Sequence, residues 1–412
     1  MKNLITFLLL FSVAAGYGQL ISPVPQYEND RNGSLYNGRM LNVFFADKIT
    51  TAFSGSNDLS TQKFYASLDA ADNSLSLGVN IDSRGGNKLE RLNWLFSTGL
   101  KMKSKDKFAT LYKSGDFQED NVGFTLKVSL IGRGIIWFNG VDNLLFRQFH
   151  NDISGKYTTE VAQFNATQLA SFVVEKNALN AIDPGLPNST VALQGKTREM
   201  YAKLAQEEVD FLNKNKSYTY SWNHWASLEA FIPFGENSYM TTSNKLIAAL
   251  SKKTFYAFSL TGSYNMMLES SNGQSLFLKI KGILKNNNNI VVDNLKSSPF
   301  QTTITGLNNT LVVVNSEDGY ETNFQQFLTP SITFEPAIFI FKNTVGFSPL
   351  IEFNTGKYKK TNWKLGIPFS FKDSKGEKAV NFEVQWKEIN TFDTSVHYIG
   401  VSTNFLFGEL IK

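Results

Sequence analysis

The run Trp363-Lys364-Leu365-Gly366-Ile367-Pro368-Phe369-Ser370-Phe371 sets Trp363, Leu365, Ile367, Phe369 and Phe371 on one face and Lys364, Gly366, Pro368 and Ser370 on the other. Two more runs follow. Beyond a turn through Asp373 to Gly376, Val380, Phe382, Val384 and Trp386 oppose Asn381, Glu383, Gln385 and Lys387; a third run sets Ile399, Val401, Phe405 and Phe407 against Tyr398, Gly400, Ser402 and Asn404. Successive side chains of a strand point to opposite faces, so a period of two makes a strand with one greasy and one wet surface. Strands of about ten residues with aromatic ends meet the length and patterning needed to cross a bilayer as a closed barrel. The wet faces then line a lumen.

The same pattern recurs upstream. Leu75, Leu77, Val79 and Ile81 alternate with Ser74, Ser76, Gly78 and Asn80, and Val122, Phe124, Leu126, Val128 and Leu130 alternate with Gly123, Thr125, Lys127 and Ser129. Further alternating blocks begin near Phe64, Leu92, Tyr218, Tyr256, Leu276, Ile332 and Val345. The reading is an all-β, transmembrane antiparallel β-barrel of about twelve strands, within a range of roughly 10–14, over residues 61–407. A polar segment, 19–60, precedes it, with one strand expected around Met40 to Phe45, and a tail, 408–412, follows. Between 131 and 217 the apolar spacing turns helical. There Asn165 and Gln168 form a capping box, and Tyr201, Leu204, Ala205, Phe211 and Leu212 form a stripe interrupted by Glu208. This is read as a helical insert within the barrel, either a structured loop or a plug. The Asn286 to Asn289 run and the residues on to Asn309 read as a polar loop, with a short strand at Leu311 to Val314.

Lys2, the apolar run Leu4 to Val13 and the small-residue segment Ala14 to Gly18 have the layout of a secretory signal peptide, 1–18, cleaved near Gly18. No later segment has the apolar length of a transmembrane helix, so membrane residence must be through strands. With 0 Cys there is no disulfide framework, thiol nucleophile or cysteine metal site. The mean hydropathy of -0.19, despite 35 Phe and 15 Tyr, suits strands that are half wet. A formal charge of +4 with no basic block gives no reason to expect nucleic acid as a partner.

On these alternating runs, and on the signal segment ending Gly-Tyr-Gly-Gln with its Asn, Lys and Phe richness, the chain resembles the outer-membrane β-barrel proteins of Gram-negative bacteria, in a Bacteroidota-like version. The resemblance implies outer-membrane lipid and the barrel-assembly machinery as partners. It also implies that the aromatics of the last strand, Tyr398, Phe405 and Phe407, form the assembly signal. The tail Gly408 to Lys412 extends past the residue on which such a strand usually finishes.

No catalytic motif is found, and no enzyme, cofactor or metal is expected. The histidines, His150, His224 and His397, lack ligand spacing, although Ser395 beside His397 keeps a barrel-embedded hydrolase as an alternative. Trp94, Trp222, Trp363 and Trp386 fall on greasy faces near strand ends, as interface aromatics should. The lumen candidates are Lys101, Lys127, Lys279, Lys281 and Lys364 against Glu229, Glu352 and Glu383, with Lys364 able to pair with Glu383 across strands. Their basic excess suggests a passive channel for small polar or anionic solutes. The alternative is a non-conducting barrel scaffolding a surface, secretion or motility assembly, with a periplasmic or surface protein as partner.

Overall fold

A computed structural model describes residues 41–46, 64–69, 74–85, 89–103, 112–113, 116–117, 122–137, 205–215, 218–243, 250–293, 295–305, 311–340, 344–372 and 378–406, with isolated residues between 148 and 203. The signal segment, most of 19–60, the Asn165 to Gln168 capping box, Phe407 and the tail lie outside them.

Among the described residues, thirteen strands share one antiparallel sheet. Twelve close into a ring: β1 (Phe64–Asp69), β2 (Ser74–Asp82), β3 (Trp94–Lys103), β4 (Val122–Ile131), β5 (Tyr220–Pro233), β6 (Ser259–Ser270), β7 (Ser275–Asn288), β8 (Gln326–Ile340), β9 (Val345–Asn354), β10 (Thr361–Lys372), β11 (Lys378–Asn390) and β12 (Ser395–Leu406). Each pairs with its chain neighbours. Closure comes from the seam in which β12 returns to β1, from Tyr65↔Leu406 to Asp69↔Ser402. The thirteenth strand, Ile135–Trp137, continues β4 along β5 after a bulge at residues 132–134. Every backbone group of a closed ring finds a partner inside the sheet, which a strand must have to sit in hydrocarbon.

The two faces follow the sequence parity. Leu126, Val128 and Leu130 on β4, Ile332, Phe334 and Ile338 on β8, and Ile367 and Val384 on β10 and β11 are exposed on the outer surface. Ser97, Thr125, Ser129, Ser227, Ser263, Thr333 and Ser348, on the opposite parity, are buried. A continuous exposed apolar band around a ring of strands with polar inner faces is the inverse of a soluble core, and it makes this a transmembrane β-barrel. Among the described residues no helix is long and apolar enough to cross a membrane.

β1 begins and β12 finishes at the same end, here called the terminal end. The link from β4 to β5, which carries the insert, emerges there too. Part of the insert is a helix over 205–215, whose Ala205, Glu208, Val209 and Leu212 fall on one stripe and are buried. Residues 41–46, expected as a strand, are a helix as well. A six-residue apolar run has no period of its own to decide between the two, and tertiary packing decides it here. Leu41, Val43 and Phe44 join Ala205, Val209 and Leu212 in one cluster with Leu89, Ile136 and Tyr218, all at the terminal end. The Asn42 amide donates to the Leu89 carbonyl at 2.9 Å, and the Phe44 ring meets Tyr218 edge-on with centroids 5.3 Å apart.

At the far end, the links from β5 to β6 and from β7 to β8 contribute a four-stranded sheet in the order Ser251–Phe255, Asn237–Thr242, Leu311–Glu321, Ser298–Thr305. The asparagine run is not a loop. Asn286, Asn287 and Asn288 are the last residues of β7, paired with Leu328, Phe327 and Gln326, and all are buried. Their amides take over the hydrogen bonds that a strand loses on leaving the ladder: Asn286 donates to the Tyr256 carbonyl at 2.8 Å, and Asn288 caps a one-turn helix, Asn289–Val292, by accepting from the Val291 amide at 2.9 Å. The turn after β9 relies on Gly356, whose φ of +80 suits glycine, and its Tyr358 hydroxyl donates to the Asn390 carbonyl.

Candidate functional site

The inward residues stack in layers from the terminal end. Leu92, Leu95, Ile131, Trp225, Met267, Phe277, Ala337 and Phe339 form a buried apolar layer inside the barrel, next to the helical cluster at the mouth. Alternation alone does not show this layer, because at these positions both faces of the strands are apolar. Trp225 is the one tryptophan whose parity turns it inward.

Beneath the layer lies the charged group that the sequence foreshadowed in part. Lys364 on β10 extends its ammonium between two carboxylates, 2.7 Å from Glu335 Oε1 on β8 and 3.2 Å from Glu383 Oε1 on β11. Both carboxylates have side-chain exposures of 0%, and Lys364 has 4%. Glu383 also accepts from the Ser348 hydroxyl, and the Gln385 amide reaches its Oε2 at 2.5 Å. Lys281 on β7 stands 3.9 Å from Glu335 Oε2, and Lys279 faces Glu335 in register. The expected Lys364 to Glu383 pair is therefore present, and Glu335 is the member that sequence reading missed. Its signal was parity: Glu335 alternates with Phe334 and Pro336 and shares its face with Thr333, in the alternating block that begins near Ile332.

Gly366 makes the arrangement possible. It sits between Ser348 and Gln385 in the ladder, and a Cβ built on it would stand 1.9 Å from Glu383 Oε1 and 2.6 Å from Ser348 Oγ. Only the missing side chain lets the carboxylate cross to Lys364.

The other lumen candidates are spread out. Lys127 and Glu229 face each other across β4 and β5, two residues along the ladder from the buried Ser129 to Ser227 hydroxyl contact of 2.7 Å. Glu352 accepts from Asn354 at 2.8 Å and Asn362 at 3.0 Å near the far end. Lys101 lies in register with Ser76 and Gly123, away from the buried group. The basic excess that suggested an anion path is thus largely answered: Lys364, Lys279 and Lys281 converge on a carboxylate absent from the sequence inventory.

The four interface tryptophans are outward and divide between the rims, Trp94 and Trp222 at the terminal end, Trp363 and Trp386 at the far end. Trp222 stacks on His224 with centroids 4.5 Å apart, and His224 Nδ1 lies 3.2 Å from the Tyr264 hydroxyl. Among the described residues no serine hydroxyl hydrogen-bonds to His224 or His397, and Ser395 is not brought to His397 as a nucleophile; His397 instead lies 3.8 Å from Glu388 on the outer face. Also among the described residues, no cluster of His, Asp and Glu could hold a metal ion. In the last strand, Phe405 pairs with Val380 and Ala66, and Tyr398 pairs with Lys387 on the inward row.

No protein-family model and no curated protein matches the sequence. Among solved structures, the chain is similar to the β domain of the Bordetella autotransporter BrkA, at 8% identity over 84% of this chain and 96% of that one, with a TM-score of 0.22. A likeness of that size adds nothing to what the strand register already establishes.

Proposed function

We propose that this chain is an outer-membrane barrel with a lumen sealed by its own side chains, working as a non-conducting scaffold that presents its terminal-end helices and far-end sheet to a protein partner. The observation that carries this reading is the buried Lys364, Glu335 and Glu383 group beneath the apolar layer. A lumen that conducts ions needs a continuous water path and an unanswered field, whereas these charges are buried and ion-paired with one another beneath the apolar layer. The outer membrane suits a barrel with an apolar outer band, export would be through the 1–18 signal, and assembly would read the last strand around Tyr398, Phe405 and Phe407. Outer-membrane lipid and the assembly machinery are then its general partners.

The competing reading, a passive channel for small polar or anionic solutes, rests on Lys101 and Lys127, which face inward away from the sealed group. Purified protein in a planar bilayer under a salt gradient separates the two. The scaffold reading expects folded protein, shown by heat-modifiable migration, without unitary conductance. Stable anion-selective steps from the folded barrel would replace it with the channel.

A further inference from the structure

The far-end rim carries a second group of polar and aromatic side chains that the lumen does not use. Trp363, Glu388 and His397 occupy one row across β10, β11 and β12, on the outward parity, while the neighbouring row of Lys364, Lys387 and Tyr398 faces inward. Trp386, two residues before Glu388 on the same face of β11, completes the group. The Trp363 indole Nε1 donates to Glu388 Oε2 at 3.0 Å, and the Asn390 amide donates to Oε1 at 3.3 Å, so the carboxylate is fixed from both sides. His397 Nε2 lies 3.8 Å from Oε2. The two indoles meet edge to face, with centroids 5.1 Å apart and planes at 77°. The imidazole centroid is 5.9 Å from Trp386 and 6.3 Å from Trp363. Three rings tilted against one another around a carboxylate form an open corner, and Trp386 is 45% exposed within it.

The chemistry of this corner selects for positive charge. Ring faces carry the negative part of an aromatic quadrupole, and a cation within about 6 Å of several centroids is attracted by each. A carboxylate in the middle adds a full charge. A girdle that only anchors a barrel at an interface needs the rings but no acid, so Glu388 is the residue that a general anchoring role leaves unexplained. The position then identifies the cation: Ile399, at 83% exposure, with Val384 and Val401, continues the outward surface directly below the corner, so whatever sits there has an apolar part lying on the barrel wall. We propose that Trp363, Trp386, Glu388 and His397 bind the ammonium of a lipid headgroup whose acyl chains run along Ile399 and Val401.

The test uses the full-length protein in detergent, titrated with phosphatidylethanolamine, phosphatidylcholine or phosphatidylglycerol and read by native mass spectrometry for lipids retained. Wild-type protein should retain the two ammonium-bearing lipids over phosphatidylglycerol by about tenfold, and E388Q should cut that preference by about fivefold or more, the range of a cation held by rings and an acid at a partly exposed site. V384A, below the corner, should keep the headgroup preference. Equal retention of phosphatidylglycerol by wild-type protein, or an unchanged preference in E388Q that migrates as folded protein, would overturn the proposal. Should E388Q not fold, the wild-type comparison of headgroups decides alone, since it needs no substitution.

Discussion

Replacing Lys364 with methionine tests whether the buried charged group holds the lumen together. The substitution keeps an unbranched chain of similar length and removes only the ammonium, which stands 2.7 Å from Glu335 and 3.2 Å from Glu383. Two carboxylates with no exposed surface are then left in one site. Removing one partner of a buried pair costs about 3–5 kcal/mol, because an uncompensated charge stays behind. Here Lys281 remains 3.9 Å from Glu335, and Glu383 keeps Ser348 and Gln385, so the loss should fall near the lower bound. About 3 kcal/mol is roughly a hundredfold in the folding equilibrium. The assay is a urea titration of protein folded into lipid vesicles, with the folded fraction read from the faster migration of unheated barrel on gels. K364M should unfold at clearly lower urea, and the double variant K364M/E383Q should recover most of the difference, since it removes one charge of each sign and leaves Glu335 to Lys281 and Lys279. A K364M midpoint equal to wild type, or a double variant as unstable as the single one, would refute the account.

Three further outcomes follow from the same geometry. Gly366→Ala should destabilise the barrel by about 1–3 kcal/mol in the same titration, because the new methyl must displace the Glu383 carboxylate or Ser348, while the neighbouring outward change Ile367→Val should cost no more than about 1.5 kcal/mol. Val384→Arg should lower folded yield through a cost of roughly 2–4 kcal/mol at a mid-strand, outward position; tolerance there would mean that this face does not meet lipid. Phe44→Ala should open the terminal-end cluster at a cost of about 3–5 kcal/mol locally, seen as faster proteolysis of the helix over 205–215 with the heat-modifiable barrel intact.

The barrel was legible in the sequence where one face of a strand is apolar and the other polar. Trp363 to Phe371 and Val380 to Lys387 show their parity residue by residue, which puts Lys364 and Glu383 on one face of neighbouring strands; the ladder sets them opposite Lys387 and Pro368, so their contact spans the rung of Gly366. Legibility fails where the lumen itself is apolar. At Ala337 and Phe339 the inward positions of β8 match Ile338 and Ile340 outside, so the alternation fades and Glu335 loses its context. It fails again where local composition imitates a loop: four consecutive asparagines suggest a turn, but three of them end a strand because Tyr256, Thr329 and the Val291 amide take up their hydrogen bonds. The helix over 41–46 owes its form to Leu89, Ile136 and Val209, far from it in sequence, which no local pattern encodes.

The seam between β12 and β1 has five paired residues, fewer than the eleven that join β12 to β11, and its two strands come from opposite ends of the sheet's sequence. Until synthesis has delivered residue 406, β1 has no partner on that side and presents an open row of amides and carbonyls, the template on which strands of other molecules pair. The ring is therefore completed by the last of its twelve strands to arrive, after every other joint can have formed. A chain cut short before β12 would not be a smaller barrel. It would be an open sheet with two raw margins and a greasy back, and the cell would meet it as a substrate for degradation or as the start of an aggregate.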